Sequence, residues 1–239
     1  MPNFLGYCGP DDRGRILEGL QEHRKDEAMV STLKQFEAAF PFLRLIARST
    51  GKDVFDYSVP EAYWIGNGLL EKVTSPEFYK FSHHELSGKD PREVRKVFEK
   101  AGRTALPHHT FYVLSTYASS SIADGPNVSN LAARKVSQLM DDCRVSWGKV
   151  KKVEGKSLLV EYRPVALKDG SIVPSDWRSK KVTYDPAVRP FDRVRAGEDV
   201  SMHWNFACEI LSPRQVRNLE KYTKVDMVSA NKILGAARG

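Results

Sequence analysis

The chain has 239 residues, 41% of them apolar and 28% charged, with a net charge of +7. That length and mixture suit one large or two modest globular domains and argue against a disordered tract. No apolar run approaches the roughly 18 residues of a membrane span. Asp11, Asp12, Arg13 and Arg15 occupy the segment where a signal peptide needs its apolar stretch, so a cytoplasmic protein is expected. Cys8, Cys143 and Cys208 are odd in number, far apart and without a CxxC pair. This speaks against a disulfide framework or a structural zinc knot. The charge is uneven: from residue 143 onward there are 19 Lys and Arg against 11 Asp and Glu. The positive field of that part suits an anionic ligand, an acidic protein surface or nucleic acid.

Residues 1–140 read as a helical domain. Asp11-Asp12 can cap a helix through about His23. Residues 27–48 carry Leu33, Phe36, Phe40, Leu43, Leu45 and Ile46, with Pro41 expected to kink or split the helix. Val59-Pro60-Glu61, Ser75-Pro76-Glu77 and Asp90-Pro91-Arg92 read as further starts, in which a proline opens the first turn. Residues 109–118 form a dense apolar run compatible with either helix or strand. The segment 128–140 is a last helix, after a loop marked by Ser119-Ser120-Ser121 and Asp124-Gly125-Pro126.

At Cys143 the period changes. Segments 144–153, 157–165, 177–184 and 200–211 read as strands, with turns at Glu154-Gly155-Lys156 and Lys168-Asp169-Gly170. Four or five short strands in about 70 residues imply a small barrel. Ser212-Pro213 then opens a final helix. The expected architecture is α+β: an all-helical domain over 1–140, and an OB-like β-barrel with a C-terminal helix over 141–239. Read as one strand, 199–211 places Met202, Trp204, Phe206 and Cys208 on one face. Ser201, His203, Asn205 and Ala207 fall on the other. His203 then lies on the polar face, free to bind a ligand.

Residues 143–150 (CRVSWGKV), 156–162 (KSLLVEY), Gly197-Glu198-Asp199-Val200 and 203–211 (HWNFACEIL) resemble, in order, the segments of the HypC family of hydrogenase maturation chaperones. The likeness covers about 40% of the chain. It implies a barrel whose cysteine and histidine hold iron in a cyanide- and carbonyl-bearing precursor. It implies as partners a hydrogenase maturation protein or a hydrogenase large subunit. Matched position by position, Cys143 and His203 are the metal ligands. Thiolate and neutral imidazole suit low-spin iron. In that family the cysteine is N-terminal, whereas Cys143 lies inside this chain behind Asp141-Asp142. Those carboxylates would oppose thiolate formation or add oxygen ligands. Residues 4–12, the segment Ala62-Tyr63-Trp64-Ile65-Gly66-Asn67 and Pro107-His108-His109 also resemble an uncharacterised, hydrogenase-associated family across the whole chain.

Beside this reading stand plainer ones. Cys208 sits on the apolar strand face and reads as structural. His108 and His109 follow a turn, and adjacent histidines diverge too widely for both to reach one metal. One of them, or Cys8, is a candidate third ligand. Cys8 within Gly6-Tyr7-Cys8-Gly9-Pro10 reads first as a buried thiol in a turn. His84-Glu85 lacks the second histidine of HExxH. The alternative functions are two. One is a basic OB-like nucleic-acid module using Trp147, Tyr162 and Trp177 among Lys149, Lys151, Lys180 and Lys181. The other is a metalloenzyme in which the helical domain supplies Cys8, His108 or His109 over the barrel's iron.

Overall fold

The computed structural model describes residues 18–19, 21–22, 26–36, 39–85, 91–119, 130–188 and 191–236. Cys8 and its turn, and nearly all of the helix expected from Asp11 to His23, lie outside these residues, as does most of the loop before residue 130.

The helical half contains α1 (Glu27–Lys34), α2 (Phe40–Thr50), α3 (Ser58–Trp64), α4 (Ser75–Glu85), α5 (Pro91–Ala101), α6 (His109–Ser119) and α7 (Asn130–Cys143). Pro41 splits the first long apolar stretch as its chemistry demands, leaving α1 and α2 as separate helices. At α4 the cap is Thr74: its hydroxyl accepts from the Glu77 N–H at 3.4 Å, and Glu77 accepts from the Thr74 N–H at 2.9 Å. The ambiguous apolar run at 109–118 is helical. It is buried on several sides by Phe78, Phe98 and α8 (Pro213–Ala236), so it needs no amphipathic stripe.

Five strands close a barrel: β1 (Ser146–Glu154), β2 (Ser157–Tyr162), β5 (Arg178–Thr183), β7 (Phe206–Leu211) and β6 (Asp199–His203), with β6 returning to pair with β1. All pairings are antiparallel except the short β5–β7 contact. This is an OB-like arrangement with one insertion. The insertion is a hairpin of β3 (Val165–Lys168) and β4 (Ser171–Pro174) around the expected turn, whose Asp169 adopts φ 49. The hairpin leaves the barrel and packs on α7 and α8, burying Val165 and Ile172 in the core of the helical half. Its backbone is anchored by side chains: Asp141 accepts from the Val165 N–H, Ser137 from the Leu167 N–H, and Asn231 both accepts from and donates to Ile172.

Val150, Leu158, Val160, Val182, Val200 and Met202 fill the barrel. The helical core is built from Phe42, Leu45, Ile46, Phe78, Phe111, Leu114 and Ile233. A third, smaller cluster of Ile65, Val145, Leu211 and Leu219 lies between the two. Two features depart from the expected division of the chain. Helix α7 runs through residue 140 to end on Cys143, and α8 packs most extensively on α6, so the last helix closes the helical half around the barrel's attachment. Ser212 caps α8 as expected, exchanging hydrogen bonds with Gln215.

Among the described residues, no helix is long and apolar enough to cross a membrane.

Candidate metal centre

The segment 199–211 folds as a hairpin. His203 pairs with Phe206 across a two-residue turn at Trp204-Asn205. Single-strand alternation therefore assigned the second half to the wrong faces. Met202 pairs with Ala207, and both lie in the barrel core, whereas Phe206 comes opposite His203. Cys208 falls at a bulge between the Ser201–Glu209 and Met202–Ala207 pairs, with Sγ 3.5 Å from the Phe206 carbonyl.

Nor is the polar face of β6 open to solvent. Ser201 is fully buried and His203 is 2% exposed, because that face lies against the helical half. Trp64, at the end of α3, meets the His203 ring edge-on at 5.1 Å, and the His109 ring lies 5.2 Å away. Thus one half covers the candidate ligand of the other.

His109, Cys143 and His203 converge there. One ligand atom from each lies within 4.8 Å of the other two. The three come from separate elements: the first residue of α6, the last residue of α7 and the last residue of β6. His109 Nε2 donates to the Cys143 carbonyl at 2.9 Å, since a carbonyl only accepts. Its Nδ1 is therefore the acceptor for the Tyr63 hydroxyl at 3.1 Å. No hydrogen bond of adequate geometry reaches either ring nitrogen of His203, and both are buried. Such orphaned polar atoms in a closed interior call for a partner.

Both rings are held neutral. Burial pushes His109 down to about 4, against an opposing contribution from the Cys143 carbonyl. Burial lowers His203 well below the usual range as well, helped by His109 and by the nearby charge of Lys180 and opposed by the Cys143 carbonyl. A neutral imidazole with a lone pair is the form that binds metal. Donors of a tetrahedral Cys/His site stand about 3.5 Å apart. Binding thus requires modest closure, loss of the thiol proton, and transfer of the His109 proton from Nε2 to Nδ1, where the Tyr63 oxygen can accept it.

The expected pair, Cys143 and His203, is brought together, with His109 as the third donor. His108 turns away. Its Nδ1 lies 2.5 Å from Asp226 Oδ2, and both side chains are wholly buried between α6 and α8. Asp141 and Asp142, expected to compete as ligands or to oppose the thiolate, are each committed elsewhere. Asp141 pairs with the buried Arg144 at 2.7 Å and accepts from the Tyr162 hydroxyl and the Val165 N–H. Asp142 is bound by Lys180.

The residues named for the nucleic-acid alternative are placed unequally. Tyr162 is buried in the barrel core, and Lys149, Lys151, Lys180 and Lys181 each pair with a carboxylate. Trp177 alone of its three aromatic residues is strongly exposed, at 66%.

Sequence reasoning did not find Tyr63 and Trp64 as walls of the site. The only signal was that they stand within 62–67, the segment carrying the whole-chain family likeness. In that same segment Gly66, at φ 91, lies so close to Tyr222 that a Cβ would come within 2.2 Å of the ring.

Comparison with known proteins adds a single kind of information. A family model described as a family of unknown function, DUF6390, matches residues 1–237. No curated protein matches the chain, and no solved structure does.

Proposed function

The chain belongs to the DUF6390 family, whose function is unknown, and we propose that it is a metal-centre scaffold binding one transition-metal ion between its two halves. The convergence of His109, Cys143 and His203 carries this reading, because neither buried His203 nitrogen has a hydrogen bond of adequate geometry. One thiolate and two imidazoles suit iron, zinc or copper better than magnesium or calcium. We take iron as the ion, on the likeness of the barrel segments to the HypC family. On that likeness, iron when bound would also supply open positions for small ligands such as cyanide and carbonyl. Cys143, at the end of α7, and His109 hold the ion from the helical half, and His203 from the barrel. Tyr63 orients His109, and Trp64 keeps water from the rings. The protein then acts by binding and transfer in the cytoplasm, with a hydrogenase maturation protein or a hydrogenase large subunit as the receiving partner.

The test is metal content and infrared spectra of protein purified without oxygen from a host with a complete hydrogenase assembly system. Wild type should carry about one iron per chain, and cyanide or carbonyl stretches should accompany it. Cys143→Ala, His203→Ala and His109→Ala should each lose the metal. Metal-free wild type, or iron retained in all three variants, would remove the proposal.

A further inference from the structure

We infer that Asp226 is a positioning residue of this site: by fixing the His108 ring it sets the direction in which α6 begins and so aims His109 at Cys143. The inference rests on the metal-binding reading above.

The two histidines open α6 together. The His108 carbonyl accepts from the Tyr112 N–H at 3.1 Å, and His109 is the first residue of the helix. Successive residues of a helix stand about 100° apart around its axis, so fixing one ring constrains the direction of the other. His108 is fixed by Asp226: Nδ1 and Oδ2 lie 2.5 Å apart, and both side chains are wholly buried. Among the described residues neither His108 Nε2 nor Asp226 Oδ1 has a hydrogen-bond partner, so the ring's polar tether is this single contact. His109 points instead to the Tyr63 hydroxyl and the Cys143 carbonyl.

The same face of α8 also holds a wall of the site. Tyr222 stands four residues before Asp226, one helical turn away. Its ring lies 6.0 Å from that of His108 and packs against Gly66, and its hydroxyl donates to the Asn67 carbonyl at 2.9 Å. Gly66 closely follows Tyr63 and Trp64, whose rings lie against His109. Trp64 also meets His203. The C-terminal helix thus fixes both the start of α6 and the segment that covers the donors.

Stability does not account for the buried pair. Burial raises the Asp226 carboxyl above its usual range, opposed by His108. Two apolar residues of similar size in such a place are often no less stable. What they lack is a directional contact that holds the backbone in one arrangement, which a ligand one residue away requires.

The experiment is equilibrium binding of cobalt(II) to the full chain, with the cobalt absorption spectrum and urea unfolding recorded for each variant. Wild type should bind cobalt with thiolate-to-metal charge-transfer bands. Asp226→Leu should weaken binding about tenfold and shift those bands. Because that variant strands His108, it is run beside the double variant His108→Leu with Asp226→Leu, which should unfold like wild type. The double variant should nevertheless show the same weakened binding and shifted bands. Asp226→Asn should restore both, since an amide can meet His108 Nδ1 whichever partner donates. Folded double variant with wild-type affinity and spectrum, or Asp226→Asn as impaired as Asp226→Leu, would overturn the role of Asp226 and leave the site standing. A wild type that binds no cobalt would overturn the site itself.

Discussion

From strand β6, Val200 and Met202 face the barrel interior while Ser201 and His203 face the seam with the helical half, and all four are buried. The interior side is apolar. The seam side combines a small apolar cluster with unpartnered nitrogens and hydroxyls, among them His203 and Ser201. Burial alone therefore does not separate stabilising from functional positions on one strand. The separation lies in whether the buried atoms are satisfied. A buried polar group without a partner costs about 1–3 kcal/mol, and the fold tolerates that at the place where the three proposed ligand side chains meet.

The largest effect should come from the edge of the seam where the polar network is complete. Arg144 is buried and paired with Asp141, which also anchors Tyr162 and the inserted hairpin. Arg144→Met should cost about 4 kcal/mol in urea unfolding, because it strands a buried carboxylate. A loss under about 1 kcal/mol would show that this network does not join the halves.

Acid should act next, and selectively on the seam. His109 is depressed in the native state to about 4, from the ordinary histidine value of 6.5. Its contribution is complete above pH 6.5 and is lost as pH falls from 6.5 toward 4, since only the unfolded chain takes up the proton there. Between pH 6.5 and 5 the metal-free protein should lose about 2 kcal/mol through this residue. His203 is shifted in the same direction and adds to the loss. His109→Gln should flatten the profile, and an unchanged slope in that variant would assign the acid sensitivity elsewhere.

The smallest effect should have the opposite sign. Replacing His203 by Leu removes two buried nitrogens that have no hydrogen bond of adequate geometry and should leave metal-free protein unchanged or stabilised by about 1 kcal/mol, while metal binding is abolished. Strong destabilisation by His203→Leu, seen as a lower melting temperature, would show that His203 is a structural residue.

Local chemistry made much of this legible in the sequence. Pro41 had to break the first apolar stretch, Ser212-Pro213 had to start α8, and the change from helical spacing to alternation located the barrel. Each follows from contacts within a few residues. Cys143 and His203 came from the likeness of their flanking segments to a known family. The two-residue turn at Trp204-Asn205 was hidden. Its first residue is an aromatic that rarely adopts positive φ, and contacts from Asp142 and Lys180, distant in sequence, hold it there.

Tertiary structure alone decided that the polar face of β6 is covered, and that the C-terminal helix completes the helical half. It also chose between the adjacent histidines: His109 reaches the cysteine and His108 reaches Asp226. A sequence specifies what each residue offers. Which donors meet depends on the packing of helices and strands tens of residues apart, and that packing is set by cores shared between them.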